Sequence, residues 1–512
     1  MNKGIFNSVI IVAVLFVVQL TTATLQCTDL AGMTVNVHPS EKRNFDAIWV
    51  DTAIPIPAAN GIPAYCQVTG RIDANLNQPA ILKFQVRLPE NWNRRFLHVG
   101  NGGNAGVLAY YGSYNQPFDF IGATDLELVV KGYAHAVNDL GTTTIYNSPS
   151  PDITEEKILF AYLGTHLATI VIKEIITTYY EQDILKSYFS GCSTGGFSAL
   201  MEATLYPNDF DGIIAQDVVD GTIANAYQAG ELVKANNLPG PNPFVDGAML
   251  ESAYNLAVAK CGDVDGIIRD SYRCDWDPVV DLASLNLDAN QLNFFKKVYS
   301  NIEIDGIIVQ YGFPPGCERD MNIWFANNPD TLQIFGTGSL AEGQLSFFQY
   351  FIYGNTSLTW DDISLDSFND VNFDYDIYNI GTKFRRYLST GNKLMLVSNG
   401  GSGIYSYANI VKTWSNRILK NPNSKAARNY RHYIVPNSGH CGIANNALGI
   451  VTNSQFTASF DPLEYMIDWV ENGVEPTEVS AKVGVNQVQI DICPYPSIRI
   501  GNDCVDQPLL SL

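Results

Sequence analysis

Ser193 lies in the stretch SYFSGCSTGGFSALMEA, residues 187–203, where G-C-S-T-G fits the pattern G-x-S-x-G. That pattern lifts a serine out of a sharp strand-to-helix turn and presents its hydroxyl for attack. A serine hydroxyl is a weak nucleophile. It needs a base within hydrogen-bond reach, and an acid usually orients that base. Six histidines are available. His440 follows an apolar run late in the chain, in YRHYIVPNSGHCG, which suits the chain order serine, acid, histidine. His98, His135, His166 and His432 lie inside apolar or helical runs, and His38 precedes Pro39 in a turn-like stretch, so these five read as structural. Cys192 directly precedes the serine and Cys441 directly follows the histidine. If Ser193 and His440 meet, their neighbours meet too, and a Cys192–Cys441 disulfide pins the two loops together. Such a bond holds its Cα atoms about 4.4–6.8 Å apart, so it enforces the proximity that catalysis needs. It closes a loop of roughly 250 residues, for which chain entropy gives about 5 kcal/mol.

The elements around these residues must bring them together. Strand-like runs fill residues 27–145: AILKFQVRLP, RRFLHVGNGG and LELVVKGYAHAVNDLG, each ending in glycine, asparagine or proline signals. TEEKILFAYLGTHLATIVIKEIITTYY repeats its apolar residues at three and four, which predicts a helix. KSYFS then reads as a buried strand feeding the serine turn, FSALMEATLY as the helix after it, and PNDFDGIIAQDVV as closing in another strand. Alternation of this kind predicts an α/β protein with a mostly parallel sheet and helices on both faces. From 221 to 385 the character changes: PGPNP, PPGCERD, acidic clusters and dense aromatics read as a loop-rich insertion over the sheet edge. Parallel-sheet character returns with NKLMLVSNGG and with the strand before His440, and FDPLEYMIDWVENG reads as a late amphipathic helix. The expected division is a core of 24–220 and 386–512 with an inserted lid at 221–385. No internal repeat or low-complexity tract occurs.

Composition narrows the class. The chain has 512 residues, 46% hydrophobic and 16% charged, enough to form a large core. A net charge of −21 excludes nucleic acid and anionic membrane as partners, since a phosphate surface requires a basic face. At the N-terminus, Lys3, the short apolar run Val9–Val18 and the small residues Thr21-Thr22-Ala23 predict a secretory signal peptide over 1–23. No later segment reads as long and apolar enough to span a bilayer. A secreted chain pairs its cysteines, and nine of them leave at least one without an intrachain partner. Asn355-Thr356-Ser357 is an N-x-S/T acceptor for a glycan.

The chain resembles the tannase and feruloyl esterase family, secreted serine esterases of α/β-hydrolase fold, over roughly 27–510. Its most specific match is the Cys-Ser and His-Cys pair, Cys192-Ser193 and His440-Cys441. NRRFLHVGNGGNAG, SYFSGCSTGG, YPNDFDGI, PPGCE and CPYP match as well. The resemblance implies Ser193 as nucleophile, His440 as general base, the Cys192–Cys441 bridge, and a lid that binds the aromatic acyl part of a small ester. The fold implies an oxyanion hole built from the backbone N–H of Thr194 and that of Gly102 or Gly103. Phe347, Phe348 and Tyr350 suit lid core and pocket wall equally.

Two departures from the family stand out. Its acid is carried by a Gly-x-Ala-Asp loop, and here SNGGSGIYS places Ser402 at that position. Asp374 and Asp376 are carboxylates on a plausible neighbouring segment. Two functions therefore stay open: a carboxylic ester hydrolase acting on phenolic-acid esters, or a catalytically weakened or lapsed member that binds an aromatic ligand or a partner. The family also has an acidic calcium loop. CGDVDGIIRDSYRC keeps Asp263, Asp265 and the Ile267 carbonyl, with Asp270 less well matched, so it reads either as a structural calcium site or as an acidic turn closed by Cys261–Cys274. The remaining cysteines pair as Cys27–Cys66 and Cys493–Cys504, which leaves Cys317 as a free thiol.

Overall fold

The computed structural model describes residues 25–103, 106, 108, 125–142, 154–219, 223–238, 242–326, 345–364, 383–442, 461–483 and 488–511. The expected signal peptide, Asp374 and Asp376 lie outside the described residues. The strands run in chain order β1 (Phe45–Ile56), β2 (Tyr65–Ala74), β3 (Ile81–Pro89), β4 (Arg95–Val99), β5 (Ala134–Asn138), β6 (Lys186–Cys192) and β7 (Gly212–Gln216). After these come a hairpin of β8 (Ile302–Ile304) and β9 (Ile307–Gln310), then β10 (Lys393–Asn399) and β11 (Tyr430–Val435). A nine-stranded sheet has the order β1-β2-β3-β5-β4-β6-β7-β10-β11. From β5 to β11 every pairing is parallel, and the first strands join as an antiparallel edge. The fold is thus α/β with a mostly parallel sheet.

The central strands read as continuous apolar runs because helices or loops cover both faces. Successive side chains point to opposite faces. Phe189, Ile213 and Leu396 enter one core cluster, and Tyr188, Ile214 and Met395 enter the cluster on the other face. The first cluster is packed by α1 (Gly164–Tyr180) and α2 (Thr194–Leu205), the second by α6 (Pro462–Ile467).

One expectation needs correction. The helical segment Thr154–Tyr180 has 27 residues and is long and apolar enough to cross a membrane. Two-thirds of its apolar window is buried within the protein. It is apolar because it is the central helix against the sheet.

The segment read as loop-rich contains helices α3 (Ile223–Ala235), α4 (Gly247–Cys261) and α5 (Ala289–Tyr299). The run PGPNP between α3 and α4 gives the segment its loop-like look, while capping fixes the starts of α4 and α5. Asp246 accepts from the Met249 amide, and Asp288 with Gln291 forms a reciprocal capping box. These helices bury Leu232, Val233, Phe294, Phe295 and Phe348 in a cluster separate from those on the sheet. Phe348 is therefore core, whereas Phe347 and Tyr350 are half-buried.

Candidate active site

Parallel register aligns the strand ends that matter. Cys192 of β6 stands opposite Gln216 of β7, Gln216 opposite Val397 of β10, and Asn399 of β10 opposite Val435 of β11. The residues that follow therefore leave the sheet at one edge, where open α/β sheets carry their sites.

Ser193 ends β6 and begins α2. Its φ is 60° and its ψ −121°, a left-handed conformation that L-residues adopt at a cost. The turn is as tight as G-x-S-x-G requires: a Cβ on Gly191 would fall 2.6 Å from the carbonyl oxygen of Gly195. The Ser193 amide donates to the Gln216 carbonyl at 3.0 Å, which ties the turn to the end of β7. The side chain is partly exposed, and among the described residues Ser193 Oγ makes no hydrogen bond. Catalytic hydrogen bonds commonly tighten only with substrate bound.

Cys192 and Cys441 are disulfide-bonded, with Cα atoms 5.8 Å apart, so Ser193 and His440 flank one covalent link. The other bridges are Cys27–Cys66, Cys261–Cys274 and Cys493–Cys504, and Cys317 is free and buried. Burial holds the Cys317 thiol protonated.

His440 is 3% exposed, edge-on to Trp324 and Tyr405 with ring centroids 5.4 and 5.9 Å away. Burial pushes its pKa down to about 3, so the imidazole is neutral and free to accept a proton. Two side chains face its Nδ1: Ser402 Oγ at 3.4 Å and Asp217 Oδ2 at 3.6 Å. Ser402 thus occupies the place expected of the acid, but it carries no charge. Asp217 follows β7 directly and is fully buried. It accepts hydrogen bonds from the Asn399 amide (2.6 Å), Asn399 Nδ2 (2.7 Å), Tyr405 Oη (3.0 Å) and the Cys441 amide. Burial pushes its carboxyl up to about 6 against these donors, so it is ionised at neutral pH. A third buried carboxyl, Asp320, accepts from the amides of Gly403 (2.6 Å) and His440 (3.1 Å) and from Trp324 Nε1 (3.1 Å), so it fastens the histidine loop to the segment 221–385.

Sequence reading missed Asp217. The available signal was a carboxylate immediately after the apolar strand that follows the serine helix, in GIIAQD. The other histidines are engaged elsewhere: His98 with Thr169 and Asn138, His432 with Ser415 and Ser398, and His166 with Asp209.

Of the two glycines proposed as oxyanion donors, Gly102 gives its N–H to Asn101 Oδ1 at 2.9 Å, which removes it from that role. Gly103 is drawn to the serine turn because Thr194 Oγ1 donates to its carbonyl at 2.6 Å. Thr194 itself opens a helix, where amides lack intrahelical acceptors.

The calcium reading fits the loop poorly. Asp263 Oδ1 accepts the amides of Asp265 and Ile267 at 2.9 and 3.0 Å, and its Oδ2 binds Arg269 Nε at 2.7 Å. The Ile267 carbonyl accepts the Asp263 amide at 3.0 Å. Two of the three proposed ligands are thus committed to an acidic turn with its own cation.

A mostly parallel sheet with helices on both faces, and with Ser193 and His440 at its carboxyl edge, has the architecture of an α/β-hydrolase. Residues 66–500 match the family model described as Tannase and feruloyl esterase; the chain belongs to that family and is a carboxylic ester hydrolase. Among curated proteins it is 25% identical over 434 residues to a probable feruloyl esterase B-2 of Aspergillus terreus, covering 78% of this chain and 75% of the relative. It is 25% identical over 457 residues to feruloyl esterase B of Aspergillus niger, covering 85% and 83%. The structure of feruloyl esterase B from Aspergillus oryzae superposes with a TM-score of 0.72 at 20% identity, covering 91% of this chain and 98% of that one. Tannin acyl hydrolase from Aspergillus niger gives 0.68 at 19% identity, covering 92% and 93%. At those identities the solved structures speak for the fold alone.

Proposed function

We propose that the protein hydrolyses esters of phenolic acids outside the cell, through an acyl-enzyme on Ser193. His440 takes the serine proton as the hydroxyl attacks the ester carbonyl, and the C–O⁻ of the tetrahedral intermediate receives the N–H groups of Thr194 and Gly103. Collapse breaks the ester C–O bond, and His440 returns the proton to the departing alkoxide. Water then adds to the acyl-enzyme with His440 as base, releasing the carboxylic acid and restoring Ser193.

The observation that carries this reading is the Cys192–Cys441 bridge, which links the residue beside the nucleophile to the residue beside the base. Feruloyl esterase and tannase relatives support an aromatic acyl group in the substrate. Four disulfides suit an oxidising compartment, in line with secretion. The lapsed alternative rested on Ser402 alone, and no further observation favours it. The test is release of ferulic acid from methyl ferulate, together with fluorophosphonate labelling. The wild type is expected to do both and Ser193→Ala neither. A wild type that neither cleaves the ester nor takes the label contradicts the reading.

A further inference from the structure

We propose that Asp217, at the end of the strand next to the nucleophile strand, is the carboxylate that positions His440 and balances its charge, in place of the acid missing at Ser402. The inference rests on the Ser193–His440 reading and names its third member. When Ser193 gives up its proton, His440 becomes an imidazolium in a site that is almost wholly dry. A positive charge there needs a partner at Nδ1, and a carboxylate also holds the ring in the tautomer that leaves Nε2 free as base.

Two side chains face Nδ1, and only Asp217 carries charge. Among the described residues no lysine or arginine pairs with Asp217; its one ionic neighbour is His440. A buried carboxylate without a cation is costly unless hydrogen bonds and a developing opposite charge compensate it. Its four donors come from Asn399, Tyr405 and Cys441, on both neighbouring loops, so its position is fixed before substrate arrives. Asp320 does not compete for the role: its Oδ2 faces the His440 and Gly403 amides and Trp324 Nε1, and among the described residues the carboxylate paired with the imidazole is that of Asp217.

The topology explains how the acid can move along the sequence without moving the base. The expected acid follows β10 and Asp217 follows β7. These strands are hydrogen-bonded neighbours with Val397 opposite Gln216, so their ends approach Nδ1 from adjacent positions. The Asn399 side chain, at the end of β10, now donates to the carboxylate on β7. Asp217 stays unprotonated throughout: the proton moves from Ser193 Oγ to His440 Nε2 and on to the leaving alkoxide.

The test compares the wild type with Asp217→Asn, Ser402→Ala, and the double variant Asp217→Asn with Ser402→Asp, on methyl ferulate. Asp217→Asn is expected to lower kcat by about 10³–10⁴ with KM changed only a few-fold. Ser402→Ala, which removes the 3.4 Å contact to Nδ1, is expected to lower kcat at least tenfold less than Asp217→Asn does. Restoring a carboxylate at 402 in the double variant is expected to recover kcat at least tenfold over Asp217→Asn, which a merely structural Asp217 would not allow. The downfield proton resonance of His440 Nδ1 should vanish in Asp217→Asn and persist in Ser402→Ala, and this readout does not depend on turnover. Loss of the resonance in Asp217→Asn from a protein that cleaves no ester would leave the positioning role standing and fault the Ser193–His440 reading. An Asp217→Asn enzyme with wild-type kcat, or a resonance that survives in it, overturns the proposal. So does a loss of kcat that tracks unfolding and is not relieved by Ser402→Asp.

Discussion

At His440 the decisive quantity is charge in a dry place. Burial drives the imidazole down to about 3 and the Asp217 carboxyl up to about 6, so between these values and neutrality the pair passes from doubly neutral to a neutral base beside an anion. The anion is the competent form. As pH falls through about 6 Asp217 gains a proton and the imidazolium loses its partner, so kcat/KM is expected to fall on that side. Asp320, also raised to about 6 by burial, faces the same loop through the His440 amide, and Tyr405 faces the ring with a phenol that burial keeps protonated. The pH–rate profile of Asp217→Asn separates these contributions. Without the carboxylate the limb near 6 should flatten, and an unchanged limb would assign it to Asp320.

Two turns carry the site at the level of elements. The serine turn packs against residues 100–103 without side-chain spacing: a Cβ on Gly195 would sit 2.6 Å from the Asn101 carbonyl oxygen and 3.0 Å from the Gly100 carbonyl carbon. Gly195→Ala must push the two apart and with them the Gly103 amide. We expect kcat to fall about 10²-fold, the scale of one lost oxyanion donor, in a protein whose circular dichroism is unchanged. Wild-type turnover in that variant would remove Gly103 from the oxyanion hole. The histidine turn is held by the disulfide and by the Cys441 amide on Asp217, and Cys441 itself is left-handed at φ 60°. Opening the bridge in Cys192→Ala/Cys441→Ala removes the covalent tie to the serine turn and leaves the left-handed turn to the hydrogen bonds of its amides on Asp217 and Asp320. Hydrolysis should be lost, with stability reduced by up to about 5 kcal/mol. Full activity in that variant would show that packing alone holds base and nucleophile together.

Across the whole molecule, charge is buried beyond the catalytic edge as well. Glu202 of α2 is 1% exposed, beside Asp209, which binds His166 at 2.6 Å, and near Lys173 and Tyr206. Burial, and then the Asp209 carboxylate, raise Glu202 far above the ordinary glutamate range. The folded protein therefore keeps a proton that the unfolded chain releases above about 4.5. The stability tied to this proton is present at low pH and declines as pH rises. Glu202→Gln, which cannot ionise, should lose less melting temperature than wild type between pH 7 and pH 9, and equal slopes would refute this. The sequence by itself determined what is local. Cys-Ser and His-Cys are neighbours along the chain, glycine spacing marks the turn, and apolar alternation marks the strands. The prolines between α3 and α4 hid the helices of 223–299, and the three-and-four periodicity of 154–180 showed a helix but not that it is long and apolar enough to cross a membrane. Tertiary structure alone decided which carboxylate reaches His440, because strand register, not spacing, sets Asp217 beside a residue more than two hundred positions away. It also decided that Asp263 serves Arg269 and its own turn, since a sequence shows which ligands exist but not which are already taken.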